Sequence, residues 1–577
     1  MSQNNQDHSV KFKYFNFIFL ITTTIYTFIF GNLFFLSTFG ADYEKYKNYL
    51  EYFFSSRNSS DLEQSPLYYF LVSFILNFRS NRISPENLLY EITFSIQLTN
   101  LILIIIGFIG LYKLLKEYEV SSHKSLIILN LLNIFPPLVS LKLTMKPEIL
   151  VFSFITWVIY FIQKFNKTNK IAYLFISIPP VILILSSKGS ALGIYSIFIV
   201  FLIYKHLNKI KLRSLIILLI VFVVLFSGIT YENSNINSKI LIDLEVSEKY
   251  NNKAGLDILF RNNTGDKQSL LFLNFDKNTI FGITTLDTFG DYFKLYWNKD
   301  ASLFNKYEKQ LFVESSNTVL PKIDLKNRNI LISESYPNAF RDLRTVTASA
   351  YTIIFYFCMI KFSLSRKAYR TYLLSPLLGI FILYINSLGI PSPNFDPFTA
   401  DTFKTYYYSP LLVVSFSFVS LHLFKKNNVL ISVFCIFYIL GSIFIFGFPK
   451  QDGSAYLSEI EDMNRHNVIC EINRYIIHDI SNDSNCSNKL ATFCDYQQNR
   501  SNLNIFTNNN YEEDISGFII KKYITSLEQT GEGSKACKEN TGFKSLLDHS
   551  KIPYFNLLLM LLFFYLIIYE KKYISKV

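Results

Sequence analysis

The sequence predicts an all-α polytopic membrane protein with about twelve transmembrane helices, exported interfacial helices and a disulfide-bearing exported domain. Three observations predict this. Half of the 577 residues are hydrophobic and only 17% are charged, whereas a soluble domain carries about 25% charge. The apolar residues gather in runs of roughly 18–25, the length a helix needs to cross a ~30 Å hydrocarbon core. The basic residues gather in short loops that lie on one side if each run is a crossing. A soluble enzyme, a disordered chain and a nucleic-acid binder are excluded as first readings.

The expected spans, in order, are Tyr14–Leu36, Leu88–Leu115, Ser125–Leu141, Ile149–Ile162, Ile171–Leu185 and Ala191–Tyr204. Leu215–Ile229, Val346–Ile360, Thr371–Leu388, Tyr407–Leu423, Val429–Phe448 and Pro553–Tyr569 follow. Several are short and borrow flanking aromatics. Ser65–Phe78 is too short for a span and reads as an interfacial or re-entrant helix. The first run is long and has no small-residue cleavage site, so it reads as a retained span.

Lys and Arg set the orientation. The loops around Lys11, Lys116, Lys167, Lys209, Arg366, Lys425 and Lys572 hold 21 of the 56 basic residues and four of the 44 acids. The formal charge of +12 is therefore a topology signal, with both termini cytoplasmic in a multi-pass protein of the bacterial inner (plasma) membrane. This divides the chain into an N-terminal transmembrane module with its first outer loop (1–230), a large outer loop (231–345) and a C-terminal transmembrane module (346–448). An exported domain (449–552) and a last span with its cytoplasmic tail (553–577) complete it. Cys470, Cys486, Cys494 and Cys537 all fall in the exported domain, which suggests two disulfides in an oxidising compartment. Cys358 and Cys435 lie in spans and read as small buried hydrophobes.

The first outer loop carries the most chemistry. Gly40-Ala41-Asp42-Tyr43-Glu44 follows the first span, so Asp42 sits just above the membrane surface. Tyr43, Tyr46, Tyr49, Leu50 and Phe53 recur at helical spacing, the pattern of an amphipathic helix in the interface. Ser65-Pro66 then opens a short helix carrying Leu67, Tyr68 and Tyr69, with Ser at the cap and Pro in the first turn. Taken alone, Asp42 and Glu44 read more readily as solvated acids beside an aromatic belt than as a carboxylate poised at a lipid headgroup.

Three further motifs fall on the same side. Met145-Lys146-Pro147-Glu148 joins two spans, and Glu148 in the first helical turn complements the helix dipole. Ser186-Ser187-Lys188-Gly189-Ser190 joins two more. Lys188 there can snorkel to the interface or serve as a point charge for a phosphate. Asp287-Thr288-Phe289-Gly290-Asp291-Tyr292-Phe293 groups acids and aromatics, a combination suited to sugars or to docking on the membrane. Tyr406-Tyr407-Tyr408 reads as an interface belt.

Over roughly the first 215 residues, this order of motifs resembles the type-C (GT-C) membrane glycosyltransferases. These include the polyprenyl-phosphate-sugar transferases of lipid A and the protein O-mannosyltransferases. The elements are the acid after the first span (Asp42), Pro66-Leu67-Tyr68-Tyr69, Ser84-Pro85-Glu86, Lys146-Pro147-Glu148 and Ser187-Lys188-Gly189. Asp42 and Glu44 are separated by Tyr43, and Ser65-Pro66 stands where family members often have His-Pro-Pro.

The resemblance implies transfer of a hexosyl or pentosyl group from a polyprenyl-phosphate donor, within the membrane lipid, to a glycan, lipid or protein acceptor on the exported face. Nucleic acid is not an expected partner. An oxocarbenium-like transition state calls for a base on the acceptor hydroxyl and charge neutralisation at the leaving phosphate. Asp42 is expected as the base with Glu44 second, Lys188 at the donor phosphate, and Glu148, Asp291 and Tyr69 at the substrate. No metal ligand is assigned, and a divalent metal stays open as a cofactor. A surface-polysaccharide polymerase or ligase, or a lipid-glycan transporter, is the alternative; a transporter would show ionisable residues deep in its spans.

Overall fold

The structure is a computed structural model that describes residues 14–25, 28–29, 53, 66–78, 88–236, 284, 321–324, 329–332, 338–389, 405–426 and 552–570. The described elements are α1 (Tyr14–Ile25), α2 (Pro66–Phe78), α3 (Leu88–Glu117), α4 (Ser122–Asn133), α5 (Pro136–Leu143), α6 (Glu148–Thr168) and α7 (Ala172–Leu185). They continue with α8 (Gly189–Tyr204), α9 (Leu212–Ile236), β1 (Pro321–Asp324), β2 (Asn329–Ile332), α10 (Asn338–Ser365), α11 (Arg370–Gly389), α12 (Thr405–Lys426) and α13 (Tyr554–Tyr569). The chain is helical apart from β1 and β2, an antiparallel ribbon that pairs Pro321 with Ile332 and Asp324 with Asn329.

Nine of the twelve expected spans coincide with a single helix, and Tyr14–Leu36 is described as a helix over Tyr14–Ile25; Val429–Phe448 lies outside the described residues, as do the four cysteines of the expected exported domain. The count of full-length crossings differs from the expectation. Among the described residues four helices are long and apolar enough to cross a membrane: Ile92–Glu117, Glu148–Thr168, Leu212–Ile236 and Lys367–Ile385. The others are shorter apolar helices. Ser125–Leu141, expected as one span, is broken into α4 and α5, which meet at 66°. Pro136 and Pro137 cause the break, because neither can donate to the carbonyls of the preceding turn. Lys142 mends it: its Nζ donates to Asn133 O at 2.7 Å and also to Asn133 Oδ1, placing a cation at the C-terminal end of α4, where the helix dipole favours one. Asn133 in turn donates from Nδ2 to Thr23 Oγ1 (2.8 Å) and Thr24 Oγ1 (3.1 Å), which docks α1 along α4.

The centre of the bundle is α6, buried along nearly its whole length. It runs parallel to α3. Two glycines on α3 permit the close approach: a Cβ at Gly107 would lie 2.5 Å from the Phe152 ring, and one at Gly110 would lie 2.6 Å from Thr156 Oγ1. Across that seam Ser153 Oγ donates to Leu103 O (2.7 Å), Thr156 Oγ1 to Gly107 O (3.1 Å) and Trp157 Nε1 to Ile106 O (2.9 Å). Small residues and hydroxyls at helix contacts are how apolar helices associate where water supplies no driving force. On another side of α6, Phe563 of α13 meets Phe154 and Trp157 edge-on, at 5.3 and 5.5 Å.

Among the described residues, basic loops that the sequence placed on one side meet at one end of this bundle. There Lys164 and Lys167 reach Glu117 at 2.8 and 3.7 Å, and Lys113 reaches Glu570 at 3.6 Å. Lys205 Nζ donates to Thr371 Oγ1, and Lys209 Nζ donates to Asn166 Oδ1 at 2.8 Å. The last helix is held at both of its ends. At its start, the Glu232 carboxylate of α9 accepts from the backbone N–H groups of Phe555 (2.6 Å) and Asn556 (2.8 Å), donors that a helix leaves unsatisfied in its first turn. At its finish, Glu570 accepts from Tyr160 Oη at 3.1 Å and pairs with Lys113.

Candidate active site

At the end opposite the lysine-rich loops, two turns face each other. The first follows α5. The last carbonyls of a helix have no intrahelical donor, and here one side chain serves them: Asn100 Nδ2 of α3 lies 3.1 Å from Leu141 O, 3.0 Å from Lys142 O and 2.8 Å from Thr144 O. Asn100 Oδ1 accepts from Tyr68 Oη at 2.8 Å, so α2 joins the same anchor. The chain then turns through Lys146 and Pro147. Proline's fixed φ, here −65°, is ready for a helix start, and Glu148 is the first residue of α6.

The second turn follows α7. The Ser187 hydroxyl bonds back to Ile184 O at 2.7 Å. Lys188 is extended (φ −165°, ψ 154°) and precedes the first residue of α8. Its side chain leaves the helix axis and reaches Glu148, with Nζ 3.1 Å from Oε1. The Glu148 side chain is 2% exposed and that of Lys188 13%, while the neighbouring Gly189 is exposed. Glu148 Oε2 is buried and has no hydrogen-bond partner among the described residues. A buried carboxylate oxygen without a donor is costly, so this site has hydrogen-bonding capacity left for a ligand.

A third element closes it. The first turn of α12 lays the Tyr407 ring beside Lys188, with Nζ 4.8 Å from the ring centroid. Tyr195 of α8, fully buried, donates its hydroxyl to Tyr407 O at 2.8 Å and so fixes α12 against α8.

Of the residues the sequence singled out, Glu148 and Lys188 are thus brought into contact. Tyr69 is fully buried, its ring 5.3 Å from that of Tyr68, and it is Tyr68 that reaches the Asn100 anchor. Asp42, Glu44 and Asp291 lie outside the described residues. Among the described residues no group of three or more His, Cys, Asp or Glu is placed to hold a metal ion. Asn100 and Tyr195 were not singled out, and Tyr407 was read only as part of an interface belt. A signal for the first exists: Thr93, Gln97 and Asn100 are all buried and form a polar stripe at i, i+4, i+7 in an otherwise apolar helix.

Residues 87–231 match the model of the dolichyl-phosphate-mannose-protein mannosyltransferase family. The match covers about a quarter of the 577 residues, and it contains Asn100, Glu148, Lys188 and Tyr195. It supports a membrane glycosyltransferase of type C, in line with the resemblance carried by the motifs. Asp42, and α12 with Tyr407, lie outside the matched segment. No curated protein and no solved structure matches the chain.

Proposed function

We propose that the protein moves a sugar from a polyprenyl-phosphate donor to a lipid, glycan or protein acceptor at the exported face of a bacterial inner membrane, with both termini cytoplasmic. The observation that carries this is the contact between Lys188 and Glu148, on two turns at one end of the bundle and inside the segment that matches the mannosyltransferase family.

Lys188 receives the donor phosphate. Its ammonium is a compact point charge, and the exposed Gly189 beside it leaves room for the approach of a headgroup. Glu148 Oε2 accepts a hydroxyl of the sugar or of the acceptor. Asp42 takes the proton from the attacking acceptor hydroxyl, with Glu44 as the second choice for that base. The acceptor oxygen forms its bond to the anomeric carbon as the bond from that carbon to the phosphate oxygen breaks, and the electron pair leaves on the phosphate. Lys188 stabilises the charge that develops there. Asp291 contributes to the sugar or acceptor contacts, and Tyr69 lies in the aromatic wall behind Tyr68.

The test is transfer by purified protein from a panel of labelled polyprenyl-phosphate sugars, with Asp42→Asn run beside the wild type at matched thermal stability. Loss of a general base costs about 10²–10⁴ in rate, and that loss is the expected result. An Asp42→Asn protein that transfers sugar at the wild-type rate removes Asp42 from the role of base.

A further inference from the structure

We infer that Tyr407, which lies outside the family-matched segment, is a positioning residue of the donor site: its ring face holds the Lys188 ammonium poised for the lipid phosphate. This rests on the reading of Lys188 as the donor-phosphate cation and goes beyond it, because it brings the C-terminal helices into that site.

Among the neighbours of the ammonium are two of different kinds. The Glu148 carboxylate lies at 3.1 Å and the Tyr407 ring centroid at 4.8 Å; a cation within about 6 Å of a ring centroid is attracted by its negative face. The two neighbours differ in what they leave behind. Glu148 already offsets the charge of the lysine, and a second carboxylate would make the site repel an anionic ligand. An aromatic face holds the cation in a partly desolvated place and adds no negative charge. A lysine held this way keeps a fixed position and offers its ammonium hydrogens to a phosphate. Without the ring, a flexible four-carbon side chain is free to move away, and the entropy of fixing it falls on the ligand.

The ring is itself held. Tyr195 is fully buried and donates to the backbone carbonyl of Tyr407 at 2.8 Å. Behind this turn, Tyr408 packs on Gly379 of α11, where a Cβ would come within 2.7 Å of the Tyr408 Cβ. The first turn of α12 is thereby fixed on both sides, and Tyr407 is presented to Lys188 by a rigid helix start.

The experiment uses the full-length protein in lipid nanodiscs and a polyprenyl monophosphate, which carries the phosphate without the sugar, titrated by native mass spectrometry. Lys188→Ala is expected to weaken binding more than tenfold. Tyr407→Leu is expected to weaken it about 3- to 30-fold, the range of a cation–π contact. Tyr407→Phe keeps the face and should bind within twofold of the wild type. Tyr195→Phe, which removes one hydroxyl, should weaken binding by about two- to fivefold, the low end of a hydrogen bond's net worth, and it keeps the test readable if Tyr407→Leu fails to fold. In transfer assays the Tyr407→Leu effect should fall on the donor KM, with kcat within twofold. If Lys188→Ala binds like the wild type, the donor-phosphate reading of Lys188 fails and Tyr407 loses its role with it. If Lys188→Ala weakens binding while Tyr407→Leu (or, where that variant does not fold, Tyr195→Phe) binds like the wild type, only the role of Tyr407 is overturned. Equal weakening by Tyr407→Phe and Tyr407→Leu overturns it as well.

Discussion

Glu148 and the ion-paired carboxylates at the other end of the helical bundle are held in opposite ways. At the end with the basic loops, each of the two ion-paired acids seen among the described residues has at least two donors. Glu117 takes Lys164 and Lys167, and the Lys167 ammonium also reaches the Glu117 carbonyl. Glu570 takes Lys113 and the Tyr160 hydroxyl, and the Lys113 ammonium also lies 4.9 Å from the Trp157 ring centroid. At the other end Glu148 has Lys188 on one oxygen and nothing among the described residues on the other, and this is the more buried pair. Completed sets of partners are what a structural ion pair looks like, since removing charges from water is tolerated only when the remaining hydrogen-bonding capacity is met. An incomplete set at a buried position is the mark of a place where a ligand completes it.

This contrast can be broken by substitution. The largest effects on stability are expected at the Glu148–Lys188 pair, where removing either partner strands a buried charge. Glu148→Gln leaves Lys188 as a buried cation without its counter-charge, which costs about 3–5 kcal/mol for a fully buried pair and about 2–3 kcal/mol here, where the lysine keeps access to solvent. Thermal unfolding in detergent should show the loss, and a saturating polyprenyl phosphate should restore part of it by giving Lys188 a new anion. Unchanged stability without ligand would mean that the pair is not closed in the resting protein.

Next in size is the staple at the start of the last helix. Glu232→Gln keeps one acceptor oxygen but loses the charge that faces the α13 N-terminus, and Glu232→Ala loses the cap. A cap of this kind contributes about 1–2 kcal/mol. Both variants should unfold at lower temperature, with Ala the worse, and both should leave the donor KM unchanged, because the staple lies on α9 and α13 and not on the turns that carry Glu148 and Lys188. A raised donor KM would tie α13 to the site.

The smallest effect is expected at the lysine-rich end. Lys164→Gln removes one of two partners of Glu117 at a partly exposed pair, and such pairs contribute about 0–1 kcal/mol. Transfer should be unchanged. A loss of donor affinity equal to that of Lys188→Ala would erase the distinction between the two ends.

Much of the scaffold was legible in the sequence, because an apolar run of sufficient length reports a helix without knowledge of its neighbours. The Lys146-Pro147-Glu148 and Ser187-Lys188-Gly189 turns were legible for the same local reason: proline and glycine punctuate, and a lone charge between apolar runs stands out. Contact between the turns was not legible. Glu148, Lys188 and Tyr407 are far apart in the chain, and periodicity says which face of a helix is apolar but not which helix covers it. Tyr407 illustrates the limit. Within Tyr406-Tyr407-Tyr408 composition indicates an interface belt, yet helix packing sends Tyr408 into the core against Gly379 and Tyr407 onto a lysine. The break between α4 and α5 could have been read from Pro136-Pro137; the hydrophobic run on both sides of it concealed the bend.

The most direct test of the central claim, that Lys188 beside Glu148 binds the donor phosphate, is the steady-state donor KM of wild-type and Lys188→Ala protein in one membrane-extracted preparation, with the acceptor saturating. Loss of one charge-assisted phosphate contact of about 1.5–3 kcal/mol predicts a rise in donor KM of about 10- to 150-fold, with the acceptor KM unchanged and the protein folded. An unchanged donor KM in folded Lys188→Ala protein would contradict it.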